Sequence, residues 1–251
     1  MNGFGVLLGK ELREQWRTMR LPSALAIFAF IGIGSPLLAR YTPQIVSALG
    51  GEQFKGIIPS PTIADAYLQF AKNAGQLGAA LVIILAMGSV SVERDRGTLA
   101  FLLSKPVSRA TVLLAKLVAL DLTIAASVGL GAVLTAIYTA VLFGPPSPRF
   151  VPAALVALLA LLVFTAATFA ASTATRSTVA AAGIGFALLV GLGALSAIHG
   201  LGDYTPNGAM AKAFGAITTG PGPSALQVGI LGGAIVAAFL VALGFLRRQE
   251  L

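Results

Sequence analysis

The chain has 251 residues, of which 57% are hydrophobic and only 10% charged, with a mean hydropathy of +0.89. Soluble domains carry roughly 25% charged residues, so an ordinary soluble globular protein is excluded. The absence of cysteine rules out disulfides and cysteine metal sites, the single His199 rules out a histidine cluster, and the net charge of +8 sits at the ends of apolar runs, where it reports membrane topology rather than nucleic-acid binding.

Residues 1–20 read as an amphipathic helix. Phe4, Leu8, Leu12, Trp16 and Met19 recur at helical spacing, while Lys10, Arg13, Glu14, Arg17 and Arg20 take other faces. Such a helix lies in the headgroup plane, with Trp16 at the interface and Arg13, Arg17 and Arg20 near anionic lipid. The spread of charge is unlike the start of a cleaved signal.

Residues 21–251 then divide into six spans, because about 20 apolar residues cross the hydrocarbon as a helix. Uncharged runs place them at about 21–39, 73–92, 111–143, 150–174, 178–198 and 225–246. Six spans put both termini on one side. That side collects Lys10, Arg13, Arg17, Arg20, Arg94, Arg96, Lys105, Arg109, Lys116, Arg176, Arg247 and Arg248, twelve of seventeen cations. The other five are Arg40, Lys55, Lys72, Arg149 and Lys212. The positive-inside rule therefore predicts cytoplasmic termini in a multi-pass protein of a prokaryotic cytoplasmic membrane.

Outside that membrane lie three short connections. Residues 40–72 contain Pro43, Pro59 and Pro61 and a possible short amphipathic helix from Thr62 to Ala71. Residues 144–149 make a tight turn, and 199–224 are broken by Pro206, Pro221 and Pro223, so any dip into the outer leaflet must be buried against other spans. No internal repeat stands out. Gly183, Gly185, Gly191, Gly193, and Gly229 with Gly233, lie within spans, where small residues permit close helix approach.

The connection from Glu93 to Arg109 is the most charged run between two spans, and its pattern suits docking. Gly97 permits a sharp exit from the second span or a close backbone approach, and Thr98 can cap a short helix. Leu99, Leu102 and Leu103 give that helix an apolar face and Pro106 stops it. A leucine patch of this kind fits a partner groove, with Arg94, Asp95 and Arg96 as the polar rim. The energy source must lie in another chain. Gly5-Val6-Leu7-Leu8-Gly9-Lys10 is one residue short of a phosphate loop, is followed by Glu11 and lacks a preceding strand.

Two other features invite chemistry. Asp121 is the acidic residue within a span, and with Lys116 about one turn earlier it suggests a paired intramembrane polar site. Gly200-Leu201-Gly202-Asp203 is similar to the motif of intramembrane aspartyl proteases. Asp203 and Asp121 are expected near opposite faces of a bilayer roughly 30 Å thick, too far apart to share a proton. His199 reads as an interfacial residue.

The run Glu93, Gly97-Thr98-Leu99, Leu102-Leu103-Ser104, Pro106 and Ser108-Arg109, followed by Lys116, resembles the signature of ABC-2-type transporter permeases. The likeness extends to the amphipathic N-terminal helix, the six spans and the broken segment before the last. Asp95-Arg96 before the glycine and Lys105 before the proline depart from the commonest form. The resemblance implies an all-α integral membrane protein similar to type V ABC exporters. It also implies a cytoplasmic ABC ATPase in two copies bound at 93–109, a second permease subunit (identical or different), and export through the interface between them. ATP and Mg would then belong to the ATPase, with no cofactor or metal in this chain, no catalytic residue and no nucleic-acid partner. A non-transporting membrane anchor or sensor is the alternative.

Overall fold

The computed structural model describes residues 3–50, 60–97, 107–218 and 220–248. Helix α1 (Gly3–Arg17) leads through a turn at Met19, whose φ of +61° is left-handed, into α2 (Arg20–Gly50). A left-handed residue with a side chain costs roughly 1–2 kcal/mol, which fixes the entry of α1 into the first span. Helix α2 runs well past the expected end at residue 39. Charge marks where hydrocarbon stops, but the backbone helix continues through Arg40, which stacks over Phe143 at 5.8 Å.

Pro36 inside α2 removes an N–H, so the carbonyl of Gly32, four residues earlier, loses its helical donor. The Thr135 hydroxyl, from a neighbouring span, lies 3.2 Å from that carbonyl and 2.9 Å from the Gly131 carbonyl of its own helix, and shares its one proton between them. The break in the ladder is met in part from outside the helix.

The second span is composite and begins ten residues before the expected 73. It comprises α3 (Ile63–Asn73), a π turn (Ala74–Gly78), α4 (Ala79–Met87) and α5 (Ser91–Asp95), together one apolar stretch. Thr62 and Asp65 form a capping box that starts α3, and the amide of Asn73 donates to Ser35 on α2 at 2.9 Å. Between α4 and α5 the ladder is interrupted, and the N–H groups of Val90 and Ser91 donate to the Ser172 hydroxyl at 3.2 and 3.1 Å.

Helix α6 (Arg109–Phe143) starts at Ser108, whose side chain accepts from the Thr111 N–H, and α7 (Phe150–Ala174) returns antiparallel to it. Then come α8 (Thr178–Leu195), a 3₁₀ turn (Gly202–Tyr204), α9 (Pro206–Gly215) and α10 (Ala225–Arg248). Proline at the first turn of α9 after the Thr205 cap is a normal helix start.

Among the described residues, six helices are long and apolar enough to cross a membrane: α2, the composite 63–95, α6, α7, α8 and α10. The core lies where α2, the composite span, α6 and α7 meet, around Phe28, Ile83, Leu120, Leu161 and Phe169. Opposite the α1 face, α9 packs on α3 and α7 through Phe70, Phe150 and Phe214, with Tyr67 stacked on Phe150 at 4.3 Å. Segment 199–224 is therefore held partly by an aromatic cluster. By contrast, only 11% of the apolar stretch of α8 and of α10 is buried within the chain.

Glycine is decisive at two crossings, that of α2 with α6 and that of α8 with α7. A Cβ on Gly32 would overlap the Gly131 carbonyl, one on Gly131 would lie 2.8 Å from the Phe28 carbonyl, and one on Gly185 would lie 2.6 Å from the Thr168 hydroxyl. Gly183, Gly191, Gly229 and Gly233, which sequence spacing also marks for close approach, face open space in this chain.

Candidate functional site: a charged clasp at the α1 face

The buried face of α1 is polar at its centre. Glu11 and Gln15, one turn apart, are its buried residues, flanked by half-buried Leu8 and Leu12, while Trp16 and Met19 are exposed. The expected single apolar face is thus split. Its turns near Gly3 pack toward the bundle, whereas Trp16 and Met19 point away.

Glu11 is buried because a cation meets it. Lys116 on α6 is 4% exposed, and its ammonium donates to both Glu11 carboxylate oxygens, at 3.0 and 3.1 Å. The same ammonium donates to Glu93 Oε1 on α5 at 2.6 Å. Three elements far apart in sequence therefore meet on one nitrogen. Lys10 extends the network, 3.3 Å from Glu11, 3.7 Å from Glu14 and 3.9 Å from Glu93. Partial burial alone would lower the pKa of Lys10, but the carboxylates of Glu11, Glu93 and Glu14 outweigh it and leave the pKa raised.

Carboxylate oxygens of Glu11, Glu14 and Glu93 lie within 4.8 Å of one another, a grouping able to hold a metal ion. Here the two lysine ammoniums already supply the compensating positive charge. Around the cluster is a cavity of about 290 Å³, lined also by Gln15, Arg20 and Arg96.

Flanking residues tie the same region to two more helix ends. Arg94 donates to the carbonyls of Thr173 at 2.5 Å and Thr175 at 3.3 Å, at the end of α7. Arg109 donates to the carbonyls of Leu246 at 2.7 Å and Arg247 at 3.5 Å, at the end of α10. The last carbonyls of a helix carry its negative dipole end, so a guanidinium is well matched to both. Asp95 and Arg96 are exposed. Gly97 has φ +70°, a left-handed conformation that calls for glycine there, and no atom among the described residues lies within 4 Å of a notional Cβ. Thr98, Leu99, Leu102, Leu103 and Pro106 lie outside the described residues.

The suggested pairing of Lys116 with Asp121 is corrected. Five residues along an α-helix turn through about 500°, which leaves the two side chains about 140° apart. Lys116 turns to Glu11 and Glu93, while Asp121 Oδ1 is buried with no hydrogen-bond partner among the described residues. Asp203 pairs with Lys212 at 2.6 Å in the segment that packs opposite the α1 face. Among the described residues, no second acid forms a hydrogen bond to Asp121 Oδ1.

Sequence reasoning did not single out Glu11, Gln15 or Gln76. The local hint at Glu11 is its spacing of four residues from Leu7 and three from Leu8, which puts it on the inward face but names no partner. Gln76 is an exposed polar side chain in the π turn of a span. Such turns often mark functional positions in a helix.

Six apolar helices, with a charged network joining an amphipathic helix to the ends of four of the spans, define an α-helical multi-pass membrane protein. Residues 6–251 match the family described as "ABC-2 family transporter protein". The chain belongs to that family and is a membrane transport permease. It is also 33% identical over 208 residues, 81% of this chain and 78% of the relative, to the "Uncharacterized transmembrane protein YxlG" of Bacillus subtilis (strain 168).

Proposed function

We propose that this chain is the transmembrane subunit of an ATP-binding cassette exporter, driven by a separate ATPase that docks on residues 93–109 from the cytoplasm. The observation that carries the reading is the clasp. The residues that bracket 97–108 are bonded to α1, α6, α7 and α10, so a push on that segment reaches four helices through short polar contacts. The clustering of twelve cations on the α1 side supports cytoplasmic termini. The chain itself has no phosphate loop, which supports assigning ATP and Mg to the partner. Trp16, Arg13 and Arg17 form the contact of α1 with lipid headgroups, while Arg20, at the start of α2, lines the cavity beside the clasp.

Transport proceeds between two permease subunits in this reading. The exposed Gln76 in the composite span and the loosely held α8 supply an unpartnered face. A mid-span glutamine is costly against lipid and favours a protein neighbour.

The test is Leu102→Asp, with the permease and its cognate ATPase co-expressed and purified through the permease. Placing a charge in an apolar groove is expected to cost about 2 kcal/mol, or roughly 30-fold in affinity, as for an interface hot spot. Folded permease should be recovered in normal yield and the ATPase should be lost. Normal co-purification with persistent transport would overturn the docking assignment.

A further inference from the structure

Between α6 and α7 runs an apolar groove of about 300 Å³, bounded by Ala125, Gly129, Ala132 and Ala136 on one wall and Val151 and Leu155 on the other. It is open at the side, where Val133, Val151 and Leu155 are more than half exposed. Ala125 to Ala136 spans about 16 Å of helix rise, the length of an extended acyl chain rather than a compact solute.

Asp121 lies on the same line of α6. It precedes Ala125 by four residues, Gly129 by eight and Ala132 by eleven, spacings that keep side chains on one helix face. Its side chain leans toward the α6 N-terminus, beyond the groove's end nearer α1. A carboxylate at this depth is costly unless paired. Lys116, the nearest cation along α6, is held by Glu11 and Glu93 on another face. The Asp121 Oδ1 atom is buried and has no hydrogen-bond partner among the described residues.

We propose that the α6–α7 groove with Asp121 is a binding site for a cationic amphiphile. The hydrocarbon chain lies along Ala125–Ala136 and the positive head sits on the Asp121 carboxylate. Charge complementarity selects this occupant over a plain lipid tail, because a tail would leave the carboxylate as it stands. The site belongs to one chain and requires no ATPase, so it goes beyond the docking reading and stands or falls separately.

The experiment titrates the full chain in phosphatidylcholine nanodiscs with dodecyltrimethylammonium, subtracting empty nanodiscs, and repeats this with dodecyl sulfate of equal chain length. Saturable binding of the cation alone is expected. Asp121→Asn should weaken it about tenfold, the scale of one charge-assisted contact, while Asp121→Glu retains it. Gly129→Phe should also abolish it by filling the groove. A Cβ at Gly129 meets no atom of the described residues within 4 Å, so the substitution starts from open space, and recovery of the folded chain in normal yield is checked for it and for the aspartate variants. Equal binding of both amphiphiles, undiminished binding by Asp121→Asn or Gly129→Phe, or partition without saturation would each overturn the proposal.

Discussion

Replacing Lys116 with methionine is expected to destabilise the folded chain by about 3 kcal/mol, the lower end of the range for breaking a buried ion pair. Methionine matches the lysine stem in length, so the loss isolates the ammonium. Glu11 and Glu93 side chains are 11% and 18% exposed, and without Lys116 their charges face each other across the space its ammonium held. Repulsion and stranded burial then act together. Unfolding in denaturing detergent measures the shift. Adding Glu11→Gln to Lys116→Met should recover part of the loss, because one of the two stranded charges is gone. A coupling of about 0.5–3 kcal/mol in that cycle is the usual range for contacting residues. An unchanged unfolding midpoint in Lys116→Met would show that the clasp holds nothing together. In transport, the same variant should lose more activity than folded protein, since α1 and α5 no longer share a rigid node with α6.

The clasp also marks where sequence reasoning reaches its limit. Glu93 and Lys116 were legible as parts of a pattern, and the cation count already sorted their side of the membrane. Glu11 was not, because an acid in an amphipathic helix is by default assigned to its wet face. Its burial depends on a lysine 105 residues away. Local spacing carries no trace of that partner. The Lys116–Asp121 pairing failed for the complementary reason: proximity in sequence was taken for proximity in space, although five residues turn the helix too far.

Span boundaries divide in the same way. Runs between charges give the same number of spans as the six apolar helices of sufficient length among the described residues. They understated α2, which continues through Arg40 to Gly50, and the composite 63–95 span, whose start is set by the Thr62–Asp65 capping box. The π turn at Ala74–Gly78 leaves no periodic signature in a stretch where nearly every residue is small or apolar. Glycine spacing was equally unselective. Gly229 and Gly233 have the familiar separation and face open space, while Gly32 and Gly131 lie on different helices and touch.

That contact carries the largest expected effect. Gly131→Val should prevent α2 and α6 from closing and leave little folded protein, a loss above the roughly 1–3 kcal/mol typical of overpacking a core. The new Cβ would lie 2.8 Å from the Phe28 carbonyl and 3.4 Å from the Phe28 Cβ, and backbone cannot yield as a side chain does. Moving α2 outward would also pull Gly32 from Thr135. The Gly32 carbonyl has lost its helical donor to Pro36, so it would be buried without a hydrogen bond. Thr135→Val separates the two contributions. It keeps the shape of the side chain, removes the hydroxyl, and should cost about 1–3 kcal/mol through the unsatisfied carbonyl alone. Pro36→Ala in that background restores an N–H at position 36 and should return most of the loss. Recovery yield and unfolding in denaturing detergent distinguish the three variants. A normally folded Gly131→Val would mean that α2 and α6 do not cross at this distance.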